Sequence, residues 1–367
     1  MEWGKSPVEN MVNARNFWHD KRVLITGHTG FKGAWLCLWL QSMGARLAGY
    51  ALAPPTDPSL FELAEVGRGI IDVRGDLDDR QALTALVRDF RPEVVFHLAS
   101  QSLVLRSYED PVETYRTNVL GTVHLLEAVR MTPGIRVVVN ITTDKCYENR
   151  EWDWGYRETD RLGGHDPYSN SKSCAEAVTA AYRHSFFHPE AIGRHGIVLA
   201  SVRAGNVIGG GDWARNRLIP DVIRAFLNDE TPQIRRHRAI RPWQHVLEPL
   251  NGYLLLAQRC WEVGSEFGEA WNFGPRDQEA RPVAWIVEKL CELWGNDRSW
   301  QSDEQDYPFE SRTLRLDCSK AIHRLGWTPR CSLEQALRMT VDWYRAYQQQ
   351  ADLRTVSLEQ IEAYVRS

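Results

Sequence analysis

Residues 137–147, VVVNITTDKCY, decide the fold of this chain because an apolar run leads directly into a polar turn. The run 137–141 is rich in β-branched residues without polar alternation, which is typical of a parallel strand buried on both faces. Thr143, Asp144 and Lys145 come directly after it. Ligands of open α/β sheets bind beyond the carboxyl ends of the strands. We therefore expect these three side chains to face a ligand.

The next motif is PYSNSK, residues 167–172, which begins a helical pattern. Tyr168 and Lys172 are spaced i, i+4, so they lie on one face of that helix. An ammonium beside a phenol stabilises the phenolate and lowers its pKa from about 10. The pair therefore predicts a base that takes a proton from an alcohol near neutral pH.

Upstream, residues 21–26 form an expected first strand that runs into GHTGFKG, residues 27–33, before an apolar helix from Ala34 to about Met43. Glycines here allow a tight turn and a close approach of the backbone to a pyrophosphate, which binds at the helix N-terminus. The spacing is Gly-x-x-Gly-x-x-Gly rather than the common Gly-x-Gly-x-x-Gly. A tight turn without a ligand is the alternative interpretation.

Further strands are expected at 46–50, 70–73, 92–101 with its exit loop, and 196–203, alternating with helices at 79–90, 111–130 and 168–187. This alternation predicts an α/β fold, a Rossmann-type doubly wound parallel sheet with a smaller mixed C-terminal substrate domain. The expected division is an N-terminal arm over 1–20 and a dinucleotide-binding domain over 21–203, with returning segments at about 240–275. A substrate-binding domain, mainly 204–367, is interleaved with the first.

The expected cofactor region leaves alternatives open. Residues 51–55, after the second strand, contain neither the acid that binds an NAD ribose nor an arginine, so these residues do not choose between NAD and NADP. Asp76 is placed either to accept from an adenine amine or to cap the following helix. Asn118, in a mostly apolar helix, needs a partner that is either structural or near the nicotinamide. His97 is interpreted as a core histidine.

Composition argues against several classes of protein. A net charge of -4 gives no reason to expect binding to nucleic acid or to an acidic membrane surface. No apolar run approaches the ~20 residues that span a bilayer. Seven cysteines without a CxxC pair argue against a disulfide framework or a zinc site, and no metal site is predicted. A reducing cytoplasm is the expected location.

A dense basic run, RRHRAIRPW, occupies residues 235–243. It is interpreted as a solvated basic face, a nucleic-acid patch or a phosphate-binding site. Phosphate binding is favoured because planar guanidinium groups hold a diphosphate in a fixed geometry, and Arg241 is the residue selected. The preceding glycine-rich loop, residues 204–213, is interpreted as a substrate lip, with a surface turn as the alternative.

The motif of Gly27, Gly30 and Gly33, the Tyr168–Lys172 pair and the strand-end Thr143 resemble the extended short-chain dehydrogenase/reductases. Residues 27–33, 142–147, 203–213 and 241–246 are most similar to the nucleotide-sugar 4,6-dehydratases of that family, in particular those that act on CDP-glucose. The resemblance extends from about residue 17 to 343. It implies an NAD-dependent lyase that makes a 4-keto-6-deoxy sugar nucleotide, in a homodimer or homotetramer that pairs the helices around Asn118 and Tyr168.

The resemblance implies that Tyr168 takes the proton of the sugar 4-hydroxyl while Thr143 aligns the same oxygen. Lys145 then removes the C5 proton and Asp144 protonates the departing 6-hydroxyl, which requires a pKa raised by burial. The reverse assignment of Asp144 and Lys145 stays open. Another nucleotide-sugar 4,6-dehydratase or a C4 epimerase is the rival enzyme, and a cofactor-sensing Rossmann binding protein is the rival from another class.

Three groups of site residues are therefore predicted. The catalytic residues are Thr143, Asp144, Lys145, Tyr168 and Lys172. The cofactor contacts are Gly27, Thr29, Gly30, Phe31, Lys32, Gly33, Asp76, Leu77, Leu98, Ala99, Gln101, Asn118, Tyr168 and Lys172. The substrate contacts are Ser102, Asn206, Arg215, Arg217, Arg241 and Arg315.

Overall fold

A computed structural model describes residues 14–295, 297–303, 305 and 313–367. Most of the expected N-terminal arm, residues 1–13, lies outside the described residues. Residues 14–18 are helical, and Trp18 is buried in the core. Phe17 packs edge-on against Trp18 with ring centroids 4.8 Å apart. The part of the arm that is described therefore packs against the body of the protein.

Seven parallel strands form the central sheet. They are β1 (Arg22–Thr26), β2 (Arg46–Ala51), β3 (Ile71–Arg74), β4 (Val94–His97), β5 (Val137–Ile141), β6 (Val198–Ala204) and β11 (Ala270–Phe273). Their order is β11-β6-β5-β4-β1-β2-β3, and every neighbouring pair is parallel. The order reverses between β1 and β4, which is the point where ligands bind in doubly wound sheets.

Both faces of the sheet are covered, which explains why the strands are apolar without alternation. Val137 and Val139 of β5 pack into one core cluster, whereas Val138 between them packs into the other. Successive strand residues point to opposite faces, so a strand in the middle layer buries every side chain. The predicted fold class is confirmed.

Helices and short strands complete the chain. The helices are α1 (Phe31–Ser42), α2 (Leu60–Leu63), α3 (Arg80–Phe90), α4 (Val104–Glu109), α5 (Pro111–Tyr115), α6 (Gly121–Arg130), α7 (Pro167–Ser185), α8 (Ile192–His195), α9 (Leu218–Leu227), α10 (Leu247–Glu262), α11 (Val283–Trp294), α12 (Leu333–Gln348) and α13 (Leu353–Arg366). The short strands are β7 (Val207–Ile208), β8 (Gln233–Ile234), β9 (Ile240–Arg241), β10 (Gln244–His245), β12 (Arg281–Pro282) and β13 (Gln301–Ser302), which pair two by two. Within the described residues, no helix is both long and apolar enough to cross a membrane.

Two helix predictions need correction. Helix α1 begins at Phe31 rather than Ala34, so Gly33 lies in its first turn. The single helix expected over 111–130 is interrupted, because residues Arg116–Leu120 form a π-helical segment between α5 and α6. All seven cysteines are free, as expected of a chain without a disulfide framework.

Candidate active site

A cavity of about 1860 Å³ opens at the carboxyl ends of β1, β4 and β5 and extends to α9 and the basic run. It brings nearly all of the predicted site residues together. Those that line it are Gly27, Thr29, Gly30, Phe31, Lys32, Gly33, Asp76, Leu77, Leu98, Ala99, Gln101, Ser102, Thr143, Asp144, Lys145, Tyr168, Lys172, Asn206, Arg215, Arg217 and Arg241. Asn118 and Arg315 are not part of its lining.

The glycine turn after β1 packs closely against neighbouring backbone. Gly27 has a φ of +76°, and a Cβ there would lie 2.6 Å from the amide nitrogen of Ala99 on the β4 loop. A Cβ on Gly33 would lie 2.1 Å from the Gly27 carbonyl oxygen. A side chain at either position would therefore collide with neighbouring backbone and distort the turn.

The N-terminus of α1 faces this turn with its backbone N–H groups available. Gly30 caps the helix without a side-chain hydrogen bond, and the first turn carries no acidic residue. Free N–H groups and the positive end of the helix dipole favour an anion here. The turn therefore fits a diphosphate.

Lys32 places a cation at the same end of the cavity. Its Nζ lies 3.4 Å from the hydroxyl of Tyr253 on α10. Burial, reinforced by the nearby Arg217 guanidinium, lowers the pKa of Lys32 to about 8. Thr29 has a structural role. Its hydroxyl donates to the Leu52 carbonyl at 3.0 Å and connects the turn to the end of β2.

The far wall of this half of the cavity contains Asp57 and Asp76. The alternative of Asp76 as a helix cap is wrong, since Asp79 accepts from the Ala82 amide at 2.9 Å and caps α3. Asp76 instead accepts from the Asp78 amide at 3.0 Å. It remains a candidate acceptor for an adenine amine.

Asn118 lies in the π-helical segment and holds the β4 exit loop. Its carboxamide accepts from the Gln101 amide at 2.8 Å and donates to the Gln101 carbonyl at 3.0 Å and the Ser171 hydroxyl at 2.8 Å. These bonds join the loop to α7, between Tyr168 and Lys172. The structure therefore favours the structural alternative, in which Asn118 positions its neighbours, over a direct cofactor contact.

His97 is a core histidine, as predicted. Its ring nitrogens lie 2.6 Å from the Thr26 hydroxyl and 3.2 Å from the Thr122 hydroxyl. Burial lowers its pKa to about 3, so the ring stays neutral.

The turn after β5 holds the predicted acid. Thr143 caps a 3-10 turn, Asp144–Cys146, and its hydroxyl donates to Asp144 Oδ1 at 3.0 Å. Asp144 Oδ2 is buried without a hydrogen-bond partner among the described residues. Burial raises the pKa of Asp144, against the opposing charge of Lys145. The predicted direction of the shift in the Asp144 pKa is confirmed. Asp144 Oδ2 is suited to protonating a group in the cavity.

Helix α7 supplies Tyr168 and Lys172 from its first two turns, and Asp166 caps it by accepting from the Ser169 amide at 2.9 Å. The expected effect of Lys172 on Tyr168 is wrong for this structure. Burial raises the pKa of Tyr168 to about 12, although a hydrogen bond with Thr143 opposes the shift. Burial and the charge of Lys32 lower the pKa of Lys172 to about 7, so the ammonium is lost easily. The loss of hydration on burial therefore outweighs the attraction that the sequence suggested between the Tyr168 phenolate and the Lys172 ammonium.

The lowered pKa of Lys172 predicts a pH-dependent stability. Between about pH 7 and 10.5 the unfolded chain binds this proton and the folded chain does not, so stability rises with pH in this range. We expect Lys172→Met to be more stable than the wild type by on the order of 3 kcal/mol at pH 6, because a buried cation is removed. The gain should shrink towards pH 10. Urea unfolding without nucleotide checks this, and an equal gain at pH 6 and pH 9 would contradict it.

The substrate half of the cavity is arranged around Arg217. Its guanidinium bonds Asp212 at 2.9 Å and the Ser102 hydroxyl at 2.9 Å. It also lowers the pKa of Tyr168, though less than burial raises it. Arg217 thus joins the glycine-rich loop, the β4 exit loop and the catalytic tyrosine candidate. Asn206 and Arg215 line the same half.

The basic run enters the cavity with three of its arginines, Arg235, Arg236 and Arg241. Arg241 is buried in the short strand β9. The predicted contact by Arg315 needs correction. Its guanidinium lies 3.3 Å from Asp277, outside the cavity lining. The sequence placed it in a polar segment but carried no signal for the direction of the side chain.

Sequence reasoning missed a buried network behind Lys172. Glu176, one turn further along α7, bonds Arg203 at 2.9 Å, Ser201 at 2.8 Å and Thr142 at 2.5 Å. Its i, i+4 spacing from Lys172 was a readable signal. The network holds α7 against β5 and β6, and so fixes the position of Lys172 in the cavity.

Comparisons with known proteins agree with this geometry. The family model described as GDP-mannose 4,6 dehydratase matches residues 24–340. The CDP-glucose 4,6-dehydratase of Salmonella typhimurium is 55% identical over 351 residues, 96% of this chain and 98% of that protein. A dTDP-glucose 4,6-dehydratase of Xanthomonas campestris is 28% identical over 88% of this chain and 92% of its own.

Solved structures share the fold. The UDP-glucose 4-epimerase of Thermotoga maritima, determined with UDP-glucose, aligns with a TM-score of 0.77 at 23% identity, over 89% of this chain and 99% of its own. A dTDP-glucose 4,6-dehydratase of Streptomyces venezuelae with bound NAD aligns with a TM-score of 0.76 at 22% identity, over 90% and 99%. The chain belongs to the GDP-mannose 4,6 dehydratase family, within the extended short-chain dehydrogenase/reductases.

Proposed function

We propose that this protein is a lyase that converts CDP-glucose into CDP-4-keto-6-deoxyglucose with NAD as its cofactor. The observation that carries the proposal is the presence of Asp144 and Lys145 in the same cavity as Tyr168 and Lys172. An epimerase or a cofactor sensor has no need of an acid and a base beside the tyrosine. The 55% identical relative supports CDP-glucose as the substrate.

The chain offers the groups that NAD requires. Its diphosphate would bind at the α1 N-terminus, where Gly27 and Gly33 let the turn pack closely and Gly30 caps the helix without a side chain. Asp57 or Asp76 would contact the adenosine. When bound, NAD would supply a hydride acceptor and a positively charged ring that favours the Tyr168 phenolate.

Tyr168 removes the proton of the sugar 4-hydroxyl in this proposal. Thr143, whose hydroxyl lowers the pKa of Tyr168, aligns the same oxygen. Oxidation at C4 acidifies the C5–H bond because the carbanion becomes an enolate. Lys145 takes the C5 proton, and the raised pKa of Asp144 lets it protonate the departing 6-hydroxyl as water.

The nucleotide would occupy the half of the cavity formed mainly by residues 204–367. Arg217 and the arginines of the basic run are placed to neutralise a diphosphate. Turnover of CDP-, UDP-, dTDP- and GDP-glucose, followed by the alkaline absorbance of a 4-keto-6-deoxy sugar, tests the proposal. We expect product from CDP-glucose at the highest kcat/KM. Formation of a C4 epimer, or no product from any of the four, would contradict it.

We also propose that two copies of the chain pair through α4, α5, α6 and α7. Val112 of α5 is 74% exposed, and Leu120, the last residue of the adjoining π-helical segment, is 51% exposed. Both elements pack against α7. Exposed apolar side chains on neighbouring helices favour an interface. Sedimentation velocity should show a dimer or tetramer for the wild type and a smaller species for the double variant Val112→Glu, Leu120→Glu. A wild-type monomer would contradict this.

A further inference from the structure

A second, smaller cavity lies beside Lys145, with a volume of about 30 Å³. Lys145 and Arg241 line both this side cavity and the main cavity. The other polar side chains of its wall are Tyr147, Asn149, His165, Asp166 and Ser169. A polar cavity of this size has room for a water, which needs about 10–15 Å³ and two or more polar partners.

The wall that carries His165 is held firmly beside Lys145. The Gly163 amide donates to the Cys146 carbonyl at 2.9 Å, and the Glu148 amide donates to the Arg161 carbonyl at 2.9 Å. These bonds pair the segment before His165 with the segment after Lys145. On the other side, Asp166 accepts from the Ser169 hydroxyl at 2.5 Å.

The polar side chains of the side cavity differ in the hydrogen bonds that they already make to other residues. Asn149 accepts from the Tyr156 hydroxyl at 3.0 Å and donates to the Thr313 carbonyl at 2.9 Å. The Tyr147 hydroxyl donates to Asn272 at 2.7 Å. His165 is exposed to solvent, and its ring has no hydrogen-bond or ion-pair partner among the described residues. An imidazole can accept and donate a proton near neutral pH.

A sugar nucleotide in the main cavity would cover the face of Lys145 that points to the substrate. The side cavity then remains as the connection between the Lys145 amine and solvent. Lys145 gains one proton from C5 and returns one to C5, so the path to solvent decides whether the returned proton is the one that was removed.

We propose that the side cavity and His165 form a proton relay between Lys145 and solvent. The inference rests on the proposed function, in which Lys145 takes the C5 proton. The C5–H bond breaks, its electron pair enters the enolate, and the proton joins Lys145 Nζ. The ammonium passes a proton to water in the side cavity, the water passes one to the His165 ring, and the ring releases one to solvent. The reverse path resupplies the proton that returns to C5.

An isotope experiment tests the relay. CDP-glucose with deuterium at C5 is converted in ordinary water in a single turnover, and the product is trapped at once with borohydride. Deuterium at C5 is then measured for the wild type, for His165→Gln and for His165→Ala with and without added imidazole. His184→Gln is the matched control, because His184 is an exposed histidine at the far end of α7.

We expect near-complete loss of deuterium in the wild type and in His184→Gln. The His165 variants should retain it in up to about one third of the product, because an ammonium carries three protons and returns one of them. Imidazole should restore the loss in His165→Ala. Normal product with complete loss of deuterium in both His165 variants would overturn the relay alone. A wild type that forms no 4-keto-6-deoxy product would overturn the proposed function and the relay with it.

Discussion

Tyr168→Phe is expected to lower kcat for CDP-glucose by about 10²–10⁴-fold, the usual contribution of a general base. The variant keeps the ring and its packing but removes the oxygen that is proposed to take the proton of the 4-hydroxyl. KM should change little, because the substitution leaves Arg217 and the basic run, the proposed ligands of the diphosphate, unchanged. Steady-state kinetics of the purified variant measures both constants.

Tyr182→Phe is the matched control for this substitution. Tyr182 lies on the same helix, and its hydroxyl donates to Glu127 at 2.9 Å, outside the cavity. Losing that bond should cost about 1 kcal/mol of stability and leave kcat unchanged. A Tyr168→Phe enzyme whose kcat stays within a few-fold of wild type would remove Tyr168 as the base.

The second large effect should separate the acid from the base. Lys145→Ala should lose the exchange of the C5 proton with heavy water as well as product formation, with kcat lower by about 10²–10⁴-fold. Asp144→Asn should still exchange the C5 proton, because Lys145 is intact, but should not release water from C6. The two variants are therefore controls for each other.

Exchange is measured by incubating each variant with CDP-glucose in heavy water and recording deuterium at C5 of the recovered sugar. Exchange at the wild-type rate in Lys145→Ala would exclude lysine as the base. Loss of exchange in Asp144→Asn, with retention in Lys145→Ala, would support the reversed assignment of the two residues.

The central fold could be predicted because its signals are local. Each strand of the middle layer is a short apolar run, and each is followed by a helix with a readable beginning or end. Gly27 and Gly33 could be assigned to a close turn because few other reasons place glycines between a strand and a helix. The π-helical segment around Asn118 was not predictable, since its cause is tertiary, in the bonds from Asn118 to Gln101 and Ser171.

The residues that form the site were predicted more successfully than their pKa values. The residues that gather at the cavity follow from strand ends and helix spacing, which the chain order sets. The pKa of Tyr168 depends instead on how completely its side chain is buried, and the pKa of Lys172 depends on burial and on Lys32, a cation from a distant part of the chain. Arg315 failed for a related reason, because Asp277 lies within its reach and only the folded chain reveals that neighbour.

In the proposed reaction, C4 of the sugar is oxidised beside Tyr168 while C5 meets Lys145 and the 6-hydroxyl meets Asp144. The most direct measurement follows deuterium from C4 of CDP-glucose into the product. We predict that the label appears at C6 of the 4-keto-6-deoxy sugar, within the same molecule. Label that stays at C4, or that is lost to solvent, would contradict this account of the active site.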